Sequence, residues 1–232
     1  MRCNQNSKDT SCLFGRVSSC DLVSFFLHSF ISPNFKYFNI FSLASSLKYL
    51  KIDSVVTSDI KKIETADKII LPGVGAFKDA KEKLDAMELT EPLINLAKEG
   101  KPFLGICLGM QLLFDFSLEY GKTEGLKLVS GKVCPLSGDI PSDLKVPQMG
   151  WNSLKIVGDS PILKYSSDGD FVYFVHSFYA KECDKSLVAY TDYGTSVTAV
   201  VQNKNVFGTQ FHPEKSGKTG LKILQAFSEV KV

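Results

Sequence analysis

The spacing of hydrophobic and polar residues changes near residue 125, and the two parts of the chain predict different elements. Before that point, short apolar runs alternate with segments in which apolar residues recur every three or four positions, as on a helix with one buried face. Leu43, Leu47 and Leu50 form one such face, and "TEPLINLAKEG" predicts a helix capped by Thr90 that ends at Gly100. This alternation of strands and helices predicts a parallel sheet covered by helices on both faces.

The strands predicted before residue 125 are "DSVVTS", "DKIILPGVG" and "PFLGI", and the last is followed directly by the helix "LGMQLLFDF". Later β-rich segments are divided by turn residues; they are "GKVCPL", "WNSLKIV", "DFVYFVHSFYA", "SLVAYT", "SVTAVVQ" and "NVFGTQFH". A closing helix places Leu221, Ile223, Leu224 and Phe227 on one face. Because no repeat or linker stands out, we predict one α/β domain with a mixed, mostly parallel central sheet flanked by helices.

The first 38 residues fit neither pattern. They combine three cysteines with many serines and phenylalanines and show no clear helical or strand period. The sequence therefore predicts a divergent or poorly ordered segment at residues 1–38 and a folded domain at residues 39–232.

Composition and charge exclude several classes of function. The chain of 232 residues has 44% hydrophobic and 22% charged residues, as ordinary globular proteins do. Its net charge of +2 and its dispersed lysines predict no nucleic-acid partner. The early apolar run "LVSFFLHSFI" is far shorter than the ~20 residues that span a bilayer, and no cleavage site follows it. We therefore expect no membrane partner and a cytoplasmic location.

The segment "GICLG", Gly105 to Gly109, carries the first candidate for chemistry. A strand passes into a helix here within one residue, and the glycines allow the two elements to pack closely. Such a turn exposes its central residue, Cys107, and directs the Leu108 N–H to the place where an oxyanion would form. The start of the helix also favours a thiolate. The five residues alone fit a small buried side chain at a strand end equally well.

A nucleophilic cysteine needs a base, and the base needs a group that orients it. The chain has three histidines, and His212 ends a predicted strand with Glu214 two residues later, close enough for a carboxylate–imidazole hydrogen bond. His28 belongs to no motif, and His176 lies within a strand pattern. Cys107, His212 and Glu214 together favour a nucleophilic site over three unrelated residues.

A metal or organic cofactor is not expected. The six cysteines match no zinc-binding spacing, and no second cluster of His, Cys, Asp or Glu supplies a third ligand near His212. A further loop, "LPGVGAF" at Leu71–Phe77, follows a buried strand with glycines on either side of Val74. Its mobile backbone is able to offer an N–H to an oxyanion, although such a loop alone is weakly specific.

Taken together, the motifs resemble the triad (class I) glutamine amidotransferases. The segments that carry the resemblance are "PGVG", "GICLGMQLL", "VPQMGWNSL", "YFVHSFY" and "FGTQFHPEKSG", in the order and spacing of that family over roughly residues 39–232. Within the family, they are most similar to the glutaminase subunits of imidazole glycerol phosphate synthase, from histidine biosynthesis. The resemblance implies a flavodoxin-like three-layer sandwich.

The resemblance also implies a role for each matching residue. Cys107 would attack the glutamine side-chain amide, His212 would transfer the proton and Glu214 would orient His212. The oxyanion would be bound by the N–H of Leu108 and the Val74–Gly75 loop. Substrate would be held by Gln111 and by the backbone of His176, Ser177 and Phe178.

A partner is implied as well, a (β/α)8-barrel cyclase that forms a heterodimer with the glutaminase and receives its ammonia. Trp151, Asn152 and Lys215 would lie at or near that interface. For Trp151, an ordinary tryptophan anchored in the core is the alternative. The Pro72–Gly75 loop would act as a gate that keeps the free subunit nearly inactive.

The chain departs from the family pattern in two places. The usual V-P-H-x-G-W-N has Gln148 in place of the histidine, which concerns the partner or subfamily rather than hydrolysis. The N-terminal strand and its glycine turn are replaced by "LVSFFLHSFISP" and "NFKYF", with Lys36 and Phe38 at the glycine positions. We expect this end to be distorted and to lower stability or docking, which thermal melts against a variant with a family-like opening would reveal.

Two other functions compete with the synthase subunit. A paralogous glutaminase would supply ammonia to a sugar amidotransferase in surface or flagellar glycan synthesis, and Gln148 is compatible with that branch. A partner-binding protein that has lost catalysis is the other alternative, and the presence of all three triad residues argues against it.

Overall fold

The computed structural model describes residues 22–24 and 33–231, with side chains from residue 40 onward. The first half alternates strands and helices: β1 (Leu22–Ser24), α1 (Pro33–Tyr49), β2 (Ser54–Val56), α2 (Ile60–Thr65), β3 (Lys68–Gly73), α3 (Phe77–Ala86), α4 (Thr90–Lys98), β4 (Phe103–Cys107) and α5 (Leu108–Leu112). The short strands β5 (Phe116–Ser117) and β6 (Thr123–Glu124) follow.

The second half is mostly strands: β7 (Lys132–Pro135), β8 (Gln148–Ser153), β9 (Lys155–Ile156), β10 (Phe171–His176), β11 (Phe178–Lys181), β12 (Leu187–Asp192), β13 (Ser196–Asn203) and β14 (Val206–Thr209), before the closing helix α6 (Gly217–Ser228). Three 3₁₀ turns lie between them, at Leu136–Gly138, Pro161–Leu163 and Pro213–Lys215.

The central sheet has eight strands in the order β2-β1-β3-β4-β14-β13-β12-β9. The five strands from β2 to β14 are parallel, and β13, β12 and β9 continue the sheet in antiparallel fashion. The predicted mixed, mostly parallel sheet flanked by helices is therefore confirmed. Two smaller sheets pair β10 with β8 and join β11, β7, β5 and β6.

Successive residues of the central strands point to opposite faces of the sheet, which builds a core on each side. Ile69 and Phe103 pack on the side of α3 and α4, whereas Ile70 and Leu104 pack on the side of α1 and α6. The unbroken apolar runs Ile69–Leu71 of β3 and Phe103–Cys107 of β4 are thus explained by burial on both faces.

Helix α1 buries the predicted face. Leu43 and Leu47 are buried and Leu50 packs against them at the margin of the same core. In α6, Ile223, Leu224 and Phe227 are buried as predicted, whereas Leu221 is only partly buried.

The N-terminal region differs from expectation in the parts that the structure describes. Helix α1 begins at Pro33, so the backbone of Lys36 and Phe38, which align with the family's glycine turn, is helical. Residues 22–24 form β1, paired in parallel between β2 and β3. The boundary predicted after residue 38 lies within α1; the rest of residues 1–38, including His28, lies outside the described residues, and the division stays a prediction.

Candidate active site

Cys107 is the last residue of β4 and directly precedes α5, with φ 55° and ψ −111°. A positive φ is unfavourable for a residue with a side chain, costing about 1–3 kcal/mol, and persists only where the surroundings enforce it. The Cys107 side chain is nearly buried, and its thiol lies 4.0 Å from the Val175 carbonyl oxygen as a long donor. The turn therefore presents the sulfur to one defined position.

Two glycines enforce this turn by allowing the elements to touch. A Cβ added to Gly109 would lie 1.7 Å from the Leu71 carbonyl oxygen, and one added to Gly105 would lie 2.6 Å from the Gly109 carbonyl oxygen. Helix α5 thus packs on the backbone of β3 and β4 at distances that no other residue permits.

The loop after β3 lies beside the same turn. Gly73 pairs with Cys107 in the parallel register of β3 and β4, which brings Val74 and Gly75 to the edge of the site. Gly75 has φ 106°, a conformation that favours glycine. The two backbone segments expected to supply oxyanion donors, Leu108 and Val74–Gly75, therefore meet at one end of the sheet.

His212 follows β14, the parallel neighbour of β4, and its imidazole is held by Glu214. The Nδ1–H of His212 donates to Glu214 Oε1 over 2.8 Å, and both side chains are about 3% exposed. The His212 backbone N–H donates to the Tyr173 carbonyl oxygen at 3.0 Å, and Ser216 Oγ donates to the His212 carbonyl oxygen at 2.7 Å. With Nδ1 committed to Glu214, Nε2 is the atom left for chemistry, and it has no hydrogen-bond partner of acceptable geometry among the described residues.

Charge decides the protonation of His212. Burial lowers the pKa of this imidazole, but the neighbouring Cys107 sulfur and the Glu214 carboxylate outweigh burial and raise it from 6.5 to about 10. His212 is therefore an imidazolium at pH 7, with its charge beside the Cys107 sulfur. Helix α5 has only five residues, so its dipole is a small contribution beside the charge of His212.

His176 is a second buried histidine, and its pKa is shifted in the opposite direction. Its pKa is lowered from 6.5 to about 4, first by burial and further by His212, while its hydrogen bond to the Phe178 carbonyl oxygen opposes the change. That bond, 2.9 Å from Nδ1, makes Nδ1 the donor. His176 is thus neutral at pH 7 and is not a second base.

A cavity of about 540 Å³ opens over Cys107. Most of the residues predicted for the site line it: Val74, Gly75, Cys107, Leu108, Gln111, His176, Ser177, Phe178, His212 and Lys215. Glu214 stands behind His212, and neither Trp151 nor Asn152 belongs to the lining. The motifs, although spread over residues 74–215, converge on one cavity.

Sequence reasoning missed part of this lining, namely Glu119, Tyr120, Met149, Tyr173 and Val175. Glu119 is nearly buried, and Glu119 Oε2 accepts the backbone N–H of Phe77 at 2.7 Å. Burial raises the pKa of this carboxyl, with Asp79 acting in the same direction and the Phe77 N–H opposing it. A single acidic residue twelve positions after a cysteine has no distinctive pattern, so only the fold reveals it.

Of the residues predicted near the partner, Lys215 lines the cavity, whereas Trp151 and Asn152 lie on β8, which pairs with β10. Trp151 is 52% exposed and meets the Tyr173 ring edge-on at 5.9 Å, so it is not a core tryptophan. Gln148 is fully buried and its Nε2 donates to Asn152 Oδ1 at 3.0 Å. Gln148 is absent from the cavity lining.

Within the described part of the chain, His, Cys, Asp and Glu nowhere gather in a group of three suited to a metal ion. Over the same residues, every helix is too short or too polar to cross a membrane.

Comparison with known proteins places this fold and site in a family. The model of the class I glutamine amidotransferases matches residues 36–229. The chain belongs to the class I glutamine amidotransferase family.

Two relatives within this family are similar over most of the chain. The imidazole glycerol phosphate synthase subunit HisH of Caldanaerobacter subterraneus subsp. tengcongensis is 51% identical over 193 residues, covering 83% of this chain and 93% of the relative. The subunit HisH of Methanothermobacter thermautotrophicus is 46% identical over 192 residues, with the same coverage of each chain.

Solved structures agree in fold at low identity. A crystal structure of a glutamine amidotransferase superposes with a TM-score of 0.66 at 15% identity, covering 88% of this chain and 98% of the other. The glutaminase domain of Trypanosoma brucei CTPS with bound acivicin has a TM-score of 0.62 at 16% identity, covering 91% and 95%.

Proposed function

We propose that the chain is the glutaminase subunit of an imidazole glycerol phosphate synthase and hydrolyses glutamine to glutamate and ammonia. The observation that carries this is the position of Cys107, held at positive φ in one cavity with an imidazole that Glu214 orients. The identity of 51% to a synthase subunit supports the same conclusion. The whole complex would act as a lyase, with this subunit as its hydrolase.

In the first half of the reaction, the Cys107 sulfur attacks the carbonyl carbon of the glutamine side-chain amide. The negative charge that develops on the carbonyl oxygen is bound by the N–H of Leu108 and the Val74–Gly75 loop. His212 passes its proton to the amide nitrogen, the C–N bond breaks, and ammonia leaves a glutamyl thioester on Cys107.

In the second half, His212 is neutral and takes a proton from water. The hydroxyl oxygen attacks the thioester carbonyl and the C–S bond breaks, which restores the Cys107 thiolate. The product leaves as the carboxylic acid and becomes glutamate when it loses that proton to solvent. The proton gained by His212 regenerates the resting ion pair, so atoms and charges balance over the cycle.

Substrate is positioned by charges and backbone groups around the cavity. The Glu119 carboxylate and Gln111 are suited to the α-ammonium group of glutamine, and backbone groups of His176, Ser177 and Phe178 to its other end. Neutral His176 contributes structure here, since its Nδ1–H already donates to the backbone.

The partner we propose is a (β/α)8-barrel cyclase that forms a heterodimer with this chain and takes up the ammonia, with both subunits in the cytoplasm. Large apolar side chains are exposed next to the cavity, with Met149 63%, Trp151 52% and Tyr120 83% exposed. Such a group beside a catalytic cavity is typical of a docking surface. Asn152, next to Trp151 in β8, and Lys215, in the cavity lining, would complete the proposed interface.

The test mixes the purified chain with a barrel cyclase of histidine biosynthesis and measures imidazole glycerol phosphate with glutamine or ammonium salt as nitrogen source. We expect glutamine to support synthesis only when this chain is present, and ammonium to support it without the chain. Glutamine hydrolysis without any synthesis would instead favour the sugar amidotransferase branch. The relatives named above are synthase subunits, which supports the histidine branch.

A further inference from the structure

A chain of hydrogen bonds leads from the backbone of β11 to the sulfur of Cys107, and its direction follows from elementary donor and acceptor rules. It begins at the carbonyl oxygen of Phe178, which only accepts. The atom of Gln111 that lies 2.9 Å from this oxygen must therefore be the amide nitrogen, Nε2. The same oxygen accepts from His176 Nδ1, so both of its lone pairs are engaged.

The second hydrogen of Gln111 Nε2 fixes the next side chain. It points to Gln210, 3.1 Å away, which must present its oxygen because two amide nitrogens would repel. With Oε1 turned to Gln111, the nitrogen of Gln210 faces the opposite way. That Nε2 lies 3.7 Å from the Cys107 sulfur and donates to it.

Gln210 is well suited to hold this arrangement. Its side chain is fully buried, and its backbone N–H donates to the Ala199 carbonyl oxygen at 2.9 Å. It lies between β14 and His212, so the same short segment carries the base and this amide. Both atoms of the amide have partners, and neither appears among the unsatisfied buried groups.

We propose that Gln210 is a positioning residue of the glutaminase reaction, donating to the Cys107 sulfur and orienting the Gln111 amide. The donated N–H stabilises a thiolate over a thiol and restrains the sulfur beneath the cavity. Since both Gln111 hydrogens are used, the oxygen of Gln111 is the atom left for substrate, as an acceptor for an ammonium group. One buried side chain thereby aligns both the nucleophile and the substrate. The part that concerns the substrate rests on the proposed function.

The experiment compares Gln210→Met, which fills the space without hydrogen bonds, with Gln210→Asn, which keeps the amide but withdraws it by one carbon. Thr198→Val is the matched control, because it removes a buried hydrogen bond, to the Ala180 carbonyl oxygen, outside the cavity lining. Iodoacetamide alkylation of Cys107 is followed against pH by peptide mass spectrometry, which separates Cys107 from the five other cysteines of the chain. Thermal melts show which variants are folded.

For both Gln210 variants we expect the pH midpoint of Cys107 alkylation to rise by about one unit. This shift corresponds to the free energy of one hydrogen bond to a charged group. With the cyclase present, KM for glutamine should rise about tenfold in Gln210→Met, while Thr198→Val matches the parent in both measurements. An unchanged midpoint in a folded variant would overturn the proposal. Alkylation of Cys107 needs neither glutamine nor the cyclase, so it tests the role of Gln210 by itself. If the proposed function were wrong, the parent protein would fail to hydrolyse glutamine, which is a separate observation.

Discussion

His176 and His212 interact in the same cavity, yet their pKa values move in opposite directions. His212 has the Cys107 sulfur and the Glu214 carboxylate as neighbours, and they raise its pKa to about 10 despite burial. His176 has a backbone carbonyl as partner, and burial lowers its pKa to about 4. Two buried histidines thereby take separate states, one an imidazolium and one neutral, because of the groups that each contacts.

Glu214→Gln should lower glutamine hydrolysis in the presence of the cyclase by at least about 100-fold in kcat. The amide removes the charge that helps to raise the pKa of His212, so imidazolium is lost at lower pH. The rate of Cys107 alkylation, measured against pH, should then show a narrower pH range in which thiolate and imidazolium exist together. A variant with parental kcat would contradict the role of Glu214.

Acid stability should depend on His176. Its pKa is about 4 in the fold and about 6.5 when unfolded, so the unfolded chain binds the proton first as pH falls. Stability is therefore lost between pH 6.5 and 4, by about 3 kcal/mol from this group. His212 adds nothing in that window, since it is protonated in both states below pH 6.5; its stabilisation is lost instead as pH rises from 6.5 toward 10.

The test is His176→Asn, because the asparagine amide is able to keep the donor to Phe178 but does not titrate. Urea unfolding at pH 7 and at pH 4 should show a smaller loss of unfolding free energy for the variant than for the parent. Equal losses in both proteins would mean that His176 does not titrate as described.

At the scale of residues, sequence motifs identified functional residues better than isolated positions did. Cys107, His212 and Glu214 were found because each lies in a segment whose local geometry suits its chemistry. Glu119 and Gln210 were missed as functional candidates, since a buried carboxylate or amide gains its role only from groups distant along the chain.

At the scale of elements, the contact between α5 and β3 holds Cys107 in its strained conformation. Gly109→Ala should destabilise the fold by about 4 kcal/mol or prevent folding, because the new Cβ would lie 1.7 Å from the Leu71 carbonyl oxygen. Gly138→Ala is the matched control: no atom lies within 4 Å of its Cβ, and its φ lies outside the left-handed region. Chemical denaturation should show a near-neutral control, and a parental Gly109→Ala would contradict the close packing.

Most elements could be predicted because their periodicity is local. The ends of the helices and strands were harder to predict, since they depend on side-chain contacts. Thr90 was expected to cap α4, but Leu89 is the residue before the helix, and Thr90 Oγ1 donates to Asp85 instead, at 2.6 Å. The segment "NFKYF" aligns with a glycine turn of the family, and in this chain it lies in the first turns of α1.

At the scale of the whole molecule, the cavity lies where three parallel strands end. The carboxyl ends of β3, β4 and β14 bring the loop of Val74, the Cys107 turn and His212 to one edge of the sheet. The β8–β10 pair stands apart from that sheet and forms a wall of the cavity. Sequence patterns predicted those strands but not their separation, because strand pairing is decided by distant residues.

The docking surface makes a prediction of its own. Trp151→Ala should weaken binding of the barrel cyclase about tenfold or more, since exposed aromatic residues dominate such interfaces. Val157→Ala, an exposed residue next to the edge strand β9, serves as the control and should bind as the parent does. Titration calorimetry measures both, and equal affinities would place the interface elsewhere.

The central claim is that Cys107 forms a covalent intermediate with glutamine. The direct measurement is acid quenching of the chain during turnover with glutamine and the cyclase, followed by peptide mass spectrometry. The account predicts a glutamyl thioester on the peptide that contains Cys107, and loss of both adduct and hydrolysis in Cys107→Ala. Glutamate release that survives Cys107→Ala, or an adduct on another residue, would contradict it.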